Sequence, residues 1–248
     1  MRRNLVVVLF ALVCASSASA QGQSRFAGWT TAVIAGDWRA GDQPIQAFDN
    51  ALRDLSAGFV AAGLPAETLV SRSLRPDVPN PVSVKSAVND IAAAMERGQA
   101  GCLLYFTSHG SPEGIVLGPD TTLTPAMAAV LVRRWCGARP TVVVLSACFS
   151  GVFTNALQAP NRMVLTAARR DRTSFGCGAN ETYPWFDGCV IETLPQASDF
   201  LNLASLTKAC VARREAEAGV ERPSEPQVFV GSEMQLRLPL LRFRRAAS

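Results

Sequence analysis

The sequence reads LLYFTSHG at residues 103–110 and VVVLSACFSG at residues 142–151. Each stretch is an apolar run that ends in a reactive side chain and small polar residues. Such runs, bounded by glycine or proline, predict strands buried on both faces, as in a parallel sheet. Residues 124–136 predict a helix, so the unit is strand, crossover helix, strand, with parallel neighbouring strands. We therefore expect His109 and Cys148 at one carboxyl edge of the sheet, where open α/β sheets bind ligands.

The rest of the chain alternates strand and helix patterns. Further strands are predicted at 31–34, 68–74, 162–168 and 227–231, and further helices at 44–63, 84–98 and 199–219. This order, without repeats, predicts one α/β domain: a three-layer sandwich around a mostly parallel sheet of about six strands. Residues 111–120 predict a small hairpin or loop beside the candidate site, and residues 169–188 predict a long irregular loop of the kind that is often functional. The tail at 235–248 is weakly specified.

Residues 1–20 have the three parts of a secretory signal peptide. Met1-Arg2-Arg3 is positively charged, the core from Leu5 to Val13 is apolar, and Ala18-Ser19-Ala20 is an A-x-A cleavage site. The apolar run is too short to span a bilayer. We therefore expect cleavage after Ala20 and a periplasmic or extracellular domain at 21–248, with no stable membrane insertion once the signal is removed.

Charge argues against a nucleic-acid partner. Loss of Arg2 and Arg3 with the signal peptide lowers the formal net charge from +4 to +2. A near-neutral balance gives no electrostatic footprint for nucleic acid. The arginine runs at 169–172 and 242–245 are expected to be solvated faces rather than phosphate-binding grooves.

The cysteine count predicts disulfide bonds. Seven cysteines less Cys14 leave six, and five remain for structure if Cys148 stays a thiol. In an oxidising compartment the favoured bridge is Cys177–Cys189, since both lie in one loop that a crosslink would restrain. Cys102–Cys136 is a second candidate at the edge opposite the site, which leaves Cys210 as a buried free thiol. Zinc is disfavoured by the single histidine and the lack of a C-x-x-C pair, and no cofactor or metal is predicted.

The two strand-end residues suit nucleophilic catalysis. A nearby histidine can favour the thiolate of Cys148 and protonate a leaving amine. The N–H groups of Gly110 and Cys148 could face a developing oxyanion, and Gly151 allows a sharp turn away from the nucleophile. An isolated buried cysteine is usually a small hydrophobe, and an isolated histidine is usually a core group. The catalytic interpretation rests on their joint placement.

The motifs YFTSHG at 105–110 and LSACFSG at 145–151 resemble the histidine and cysteine motifs of the legumain (C13) cysteine peptidases, within the caspase-like group. The resemblance extends over most of the mature chain, through VIAG at 33–36 with QA at 46–47, TSFGC at 173–177 and PQVFVGS at 226–232. It implies a caspase-like fold acting on a protein or peptide substrate. It also implies roles for three residues: Cys148 as nucleophile, His109 as general acid and Gly110 as oxyanion donor.

The resemblance also implies residues around the catalytic pair. Counted without a gap after residue 36, the asparagine that orients the histidine falls on Asp42, a carboxylate that could steady an imidazolium but would raise its pKa. The substrate-pocket arginine falls on Pro44, with Arg39 as the only nearby replacement. The acidic residue two positions before the cysteine is Ser146 here.

Two further pocket residues follow from the same resemblance, which places Ser174 and Asp187 on the pocket walls. An acidic residue at 187 without the usual Arg–Glu pair makes cleavage after a basic residue an alternative to cleavage after Asn or Asp.

Three classes of function remain open on the sequence alone. The first is a secreted or periplasmic cysteine endopeptidase that works through a thioester; the same residues would support a transpeptidase if an amine replaces water. The second is a non-catalytic scaffold or binding protein with this fold, of which Asp42 and Ser146 would be signs. The third, a structural disulfide or redox protein, lacks a resolving cysteine next to Cys148 in sequence. The sequence does not specify an oligomeric state.

Overall fold

The computed structural model describes residues 25–244. The predicted signal peptide at 1–20, its cleavage site after Ala20, and the tail residues 245–248 lie outside the described residues. Within 25–244, no helix is both long enough and apolar enough to span a bilayer.

A six-stranded sheet forms the centre of the described chain. Some strands of the described chain lie in this sheet and the others form two small separate sheets. In chain order the strands are β1 Trp29–Ala35, β2 Arg39–Ala40, β3 Gln43–Pro44, β4 Leu69–Ser73, β5 Gly101–Thr107, β6 Gly110–Ser111, β7 Gly114–Val116, β8 Thr122–Leu123, β9 Thr141–Ser146, β10 Arg162–Thr166 and β11 Gln227–Val230. The central sheet has the order β11-β10-β9-β5-β1-β4, and only β11 runs antiparallel to its neighbour. The predicted mostly parallel sheet of about six strands is confirmed, with β5 and β9 adjacent.

Helices cover both faces of this sheet. They are α1 Ala47–Ala61, α2 Val84–Arg97, α3 Pro125–Cys136, α4 Thr154–Leu157, α5 Trp185–Thr193, α6 Phe200–Glu217 and α7 Ser232–Arg237, with 3-10 turns at Ala66–Thr68, Ser150–Phe153, Leu194–Gln196 and Leu238–Leu240. Every residue of β5 and β9 is buried, because successive side chains enter opposite apolar cores. Leu103, Tyr105 and Val144 belong to the core under α1, α5 and α6. Leu104 and Leu145 belong to the core under α2 and α3.

Side-chain caps begin α2 and α3, close to the starts predicted from the sequence. Ser83 accepts a hydrogen bond from the Ser86 amide at the start of α2. Thr124 accepts one from the Met127 amide at the start of α3, and Pro125 occupies the first turn. Each cap satisfies an amide that has no partner inside the helix, a contribution of about 1 kcal/mol. These helices therefore follow local signals.

Three local predictions are corrected. The helix expected from Pro44 begins at Ala47, because β2 and β3 pair as a small hairpin whose turn uses Gly41 at φ +60°. The irregular loop expected up to residue 188 ends at Trp185, where α5 begins. The tail is ordered as far as it is described: α7 continues into a 3-10 turn, and Phe243 stacks on Phe26 with ring centroids 5.7 Å apart.

The disulfides confirm one prediction and correct another. Cys102–Cys136 joins β5 to α3, with Cα atoms 6.0 Å apart. The favoured Cys177–Cys189 bridge is wrong, since Cys189 bonds Cys210, with a Cα separation of 5.7 Å. Cys189 lies inside α5 and faces α6, whereas Cys177 lies before the helix and remains free along with Cys148. Cys210 is therefore bridged rather than a free thiol.

Candidate active site

The ends of β5 and β9 bring the histidine and cysteine motifs together. Thr107 pairs with Ser146 in the sheet register, and the Ser108 amide donates to the Ser146 carbonyl at 3.0 Å. His109 and Cys148 each follow two residues beyond this pair. A Cβ on Gly110 would overlap the carbonyl oxygen of Cys148, so the two loops are in direct contact. Glycine is required at 110 because the backbones approach so closely.

A main-chain carbonyl orients the His109 ring. The His109 Nε2 lies 2.6 Å from the carbonyl oxygen of Arg39, and the ring packs edge-on to Phe48 at 5.0 Å between centroids. Because a carbonyl oxygen only accepts, Nε2 carries the proton in this hydrogen bond. In the neutral ring Nδ1 is then unprotonated and can accept a proton. The expectation that Asp42 orients the histidine is wrong, since Asp42 is exposed in the β2–β3 turn.

The Cys148 thiol lies against the segment that follows β10. The Ser174 amide donates to Cys148 Sγ at 3.3 Å, and Sγ lies 3.4 Å from the Ser174 carbonyl oxygen, to which the thiol donates. Burial raises the pKa of the Cys148 thiol, and the Ser174 hydrogen bond partly opposes this. The thiol is therefore held in its neutral form at rest.

The turn after Cys148 is fixed by backbone contacts. Phe149 adopts a left-handed conformation with φ 57°, and its amide donates to the carbonyl of Arg172 at 2.8 Å. A Cβ on Gly151 would overlap the backbone of Arg170, so glycine is needed where the chain passes residues 168–170. These contacts hold the cysteine loop and the segment after β10 together.

The Gly110 amide is left out of the hairpin ladder that follows His109. Gly110 pairs with Ile115, and the Val116 amide donates to the His109 carbonyl at 2.9 Å. That bond makes Gly110–Ile115 a non-hydrogen-bonded pair, in which neither residue donates across the ladder. The Gly110 N–H is therefore available beside the Cys148 carbonyl group.

A polar cluster lies on the same face of the sheet, below the two motif residues. The Tyr105 hydroxyl donates to Asp187 Oδ1 at 2.5 Å, and the Thr107 hydroxyl donates to Asp187 Oδ2. Asp187 has no exposed surface, so it is not on an open pocket wall as the resemblance implied. Burial raises the pKa of Asp187 to about 6, while the hydroxyls of Thr107, Tyr105 and Ser146 lower it.

The other residues expected in the pocket take different positions. Ser146 is 2% exposed beside the Asp187 cluster, and its hydroxyl makes no hydrogen bond of ordinary geometry. Arg39 presents its carbonyl to His109, but its guanidinium pairs with Asp37 at 3.0 Å and lies over the Trp38 ring at 4.4 Å. Ser174 meets Cys148 through its main chain.

Comparisons with known proteins give a family match and a fold. The model of the peptidase C13 family matches residues 87–202. The matched segment holds His109, Cys148, Ser174 and Asp187, and it begins after Arg39. No curated protein is significantly similar to the chain.

The fold of this protein is caspase-like. The chain is similar to the crystal structure of caspase-1 from Spodoptera frugiperda, with a TM-score of 0.61 over 84% of this chain and 88% of that one. At 12% identity the likeness shows the fold alone. The family match and the fold together support a cysteine peptidase.

Sequence reasoning missed three side-chain or main-chain roles in this protein. Tyr105 and Thr107 read as ordinary strand residues, and the Arg39 carbonyl has no side-chain signature. The spacing gives one signal that the sequence could have offered. Every second side chain of a strand points to the same face, so residues 105 and 107 share a face with the position of 109, and residue 146 shares one with the position of 148. The partner, Asp187, comes from α5, more than 70 residues away in sequence.

Proposed function

We propose that this protein is a cysteine endopeptidase in which Cys148 is the nucleophile and His109 transfers protons. The observation that carries this proposal is the direct contact of their loops, with Gly110 against the Cys148 carbonyl and the His109 ring held through Nε2. A nucleophile, a proton carrier and an orienting group are the parts that acyl transfer needs. The C13 match and caspase-like fold support the same class.

The reaction begins with a neutral thiol. Because burial raises the pKa of Cys148, its proton moves to His109 Nδ1 as the sulfur attacks the peptide carbonyl carbon. The oxyanion that forms accepts hydrogen bonds from the N–H groups of Gly110 and Cys148; a preorganised donor of this kind is worth about 2.7–4 kcal/mol. His109 then protonates the leaving amine, and a thioester remains on Cys148. Water attacks the thioester carbonyl, passes a proton to His109 and releases the new carboxylate and the thiol.

The residue before the cleaved bond is proposed to be Asn or Asp, with a basic residue as the alternative. Arg39 is a basic residue of the site, since its carbonyl contacts His109, whereas the acidic Asp187 lies buried beneath the site. Arg39 is 38% exposed and paired with Asp37, so it could also bind an acidic substrate group. Ser146 and Ser174 would supply neutral hydrogen-bonding groups.

Secretion is proposed with the enzyme. The predicted signal peptide supports it, and so do the Cys102–Cys136 and Cys189–Cys210 bridges, since such bonds persist mainly in oxidising compartments. Export of a reporter protein tests this proposal. One reporter fusion carries residues 1–30, and the control fusion starts at residue 21 and so lacks the predicted signal peptide. Retention of both fusions in the cytoplasm would contradict it.

Cleavage of a peptide library tests the proposed activity. The mature chain 21–248 is incubated with the library, products are read by mass spectrometry, and Cys148→Ala and His109→Ala are run beside it. We expect cleavage by the wild type and a loss of at least about 10³-fold in each variant. Ligated products in the presence of an added amine peptide would indicate transpeptidation instead of hydrolysis.

A negative result has its own meaning. If the wild type cleaves nothing and a thiol reagent does not modify Cys148, the peptidase proposal fails and a non-catalytic scaffold with this fold is indicated. Alkylation is assigned to Cys148 by peptide mapping, because Cys177 is a second free thiol.

A further inference from the structure

We propose that Asp187 is a positioning residue, which with Tyr105 and Thr107 clamps the start of α5 to β5 and thereby holds Ser174 against Cys148. This inference rests on the proposed function and adds a residue that acts on the nucleophile without touching substrate. It replaces the role on a pocket wall that the resemblance to legumains implies.

The first link of the clamp joins α5 to the centre of the sheet. Asp187 lies in the first turn of α5, where a carboxylate is favoured by the helix dipole. Both of its oxygens accept hydroxyl hydrogen bonds from β5, and its side chain is 0% exposed. A buried carboxylate with two hydrogen-bond donors is fixed in place, since leaving either bond unmade would leave a buried charged group unsatisfied.

The second link joins α5 to the segment that carries Ser174. The Trp185 amide donates to the Phe175 carbonyl at 3.0 Å, and the two aromatic rings pack with centroids 5.7 Å apart. Gly176, at φ +82°, lies so close to Trp185 that a Cβ would overlap its ring. Trp185 is two residues before Asp187, so the position of Asp187 sets where residues 175 and 176 lie.

The third link reaches the nucleophile. Ser174, next to Phe175 in sequence, contacts Cys148 Sγ through both its amide and its carbonyl. The far side of α5 is held independently by the Cys189–Cys210 bridge to α6. The clamp is therefore the attachment of α5 that lies on the side of the catalytic pair.

The clamp has a chemical consequence at Cys148. While Ser174 is held in place, the thiol is buried and its pKa is raised. If the clamp is broken and residues 174–176 move away, the thiol loses both the burial that raises its pKa and the weaker Ser174 hydrogen bond that lowers it. Because burial is the larger of the two effects, the pKa of Cys148 falls towards its ordinary value. The charged and titratable groups around residues 174–177 include Cys177, which interacts electrostatically with Cys148, Asp187 and Glu181.

Thr107→Val and Thr207→Val form the matched test. Both residues are fully buried threonines; Thr107 bonds Asp187, whereas Thr207 bonds Thr193 on the other side of α5. The rate of Cys148 alkylation by iodoacetamide is measured against pH and read by peptide mapping, which requires no peptide substrate. We expect Thr107→Val to move the midpoint down by about half a pH unit or more, with Thr207→Val unchanged.

Activity supplies the second measurement. We expect kcat/KM to fall about tenfold or more in Thr107→Val, because small displacements at a reacting centre cost large factors in rate. Thr107→Ser, which keeps the hydroxyl, should restore both the alkylation profile and the activity. Tyr105→Phe removes the other hydroxyl and serves as the second variant if Thr107→Val does not fold.

Three outcomes would overturn the proposal. An unchanged Cys148 midpoint in folded Thr107→Val and Tyr105→Phe would show that the clamp does not act on the nucleophile. An equal shift in Thr207→Val would show a general loosening of α5. A changed residue preference in Asp187→Asn with unchanged alkylation would assign Asp187 to substrate binding. If the wild type cleaves no peptide, the alkylation comparison still decides the proposal.

Discussion

Two regions meet at Cys148, and they are held in different ways. The ends of β5 and β9 are fixed by the parallel sheet, through the Thr107–Ser146 pair and the contact of Gly110 with the Cys148 carbonyl. The segment 169–184 has no helix or strand and is held by contacts with other parts of the chain, such as Phe149 to Arg172 and Cys148 to Ser174. The nucleophile is therefore rigid on one side and adjustable on the other.

The strand ends therefore fix where the reactive pair lies, whereas the irregular segment adjusts how reactive the pair is. A strand end delivers a side chain to a fixed point, because the sheet's hydrogen bonds set the register. An irregular segment is placed by a few side-chain contacts, so single substitutions can move it. We expect changes at the strand ends to abolish activity and changes in the segment to alter rate or pH dependence.

The largest effect is expected for Gly110→Ala. The added Cβ would overlap the Cys148 carbonyl oxygen, so the two motif loops must separate, with a loss of activity on the order of 10²-fold or more. Overpacking of this kind also costs about 1–3 kcal/mol of stability. Gly178→Ala is the matched control in the irregular segment, since a Cβ there has nothing within 4 Å. Equal activity of the two variants would show that the strand ends are no more sensitive to change than the irregular segment.

Removal of the Cys189–Cys210 bridge is expected to act on stability. The paired change Cys189→Ser with Cys210→Ser should lower the free energy of unfolding by about 2–4 kcal/mol, measured by urea denaturation. Cys177→Ser, which removes a free thiol of the segment, should cost less than about 1 kcal/mol. A large loss in Cys177→Ser and none in the double variant would restore the bridge expected from the sequence.

The pH dependence of stability tests the burial of Asp187. Its pKa is about 6 when folded and 3.8 in its ordinary state, so the folded protein binds more protons between these values. Stability from this group is therefore greatest at low pH and falls as pH rises from about 4 to about 6, by on the order of 2–3 kcal/mol. Comparing wild type with Asp187→Asn between pH 4.5 and pH 7 isolates this contribution. Parallel pH curves for the two proteins would contradict the burial.

The smallest effect is expected for Asp42→Ala. Because the Arg39 main-chain carbonyl, and not Asp42, holds His109 Nε2, activity should stay within about twofold of the wild type. Peptide cleavage measured across pH 5–8 would reveal any change in the histidine. A tenfold loss, or a displaced pH optimum, would return the orienting role to Asp42.

The strand and cap signals allowed much of the fold to be predicted. Apolar runs predicted β5 and β9, and the helices predicted at 84–98 and 124–136 begin at Val84 and Pro125. Signals of this type are local, since they depend on side-chain alternation and on amides within one helical turn. The Cys102–Cys136 bridge followed from the same strand and helix placement.

The errors fall where contacts are distant in sequence. The sequence favours pairing Cys189 within its own loop, although α5 turns it towards Cys210 on α6. Counting along the resemblance points to Asp42, although the β2–β3 hairpin turns it outward and presents the Arg39 carbonyl to His109. Neither result is encoded in residue type at those positions.

The sequence by itself determined the strand ends that carry His109 and Cys148, because hydrophobic alternation and the crossover rule place neighbouring parallel strands at one edge. Only the tertiary structure decided what surrounds them: the carbonyl that orients the histidine, the serine backbone against the thiol, and the buried carboxylate beneath both. Those partners are joined by hydrogen bonds between elements far apart in the chain, and such bonds exist only once the helices have packed on the sheet.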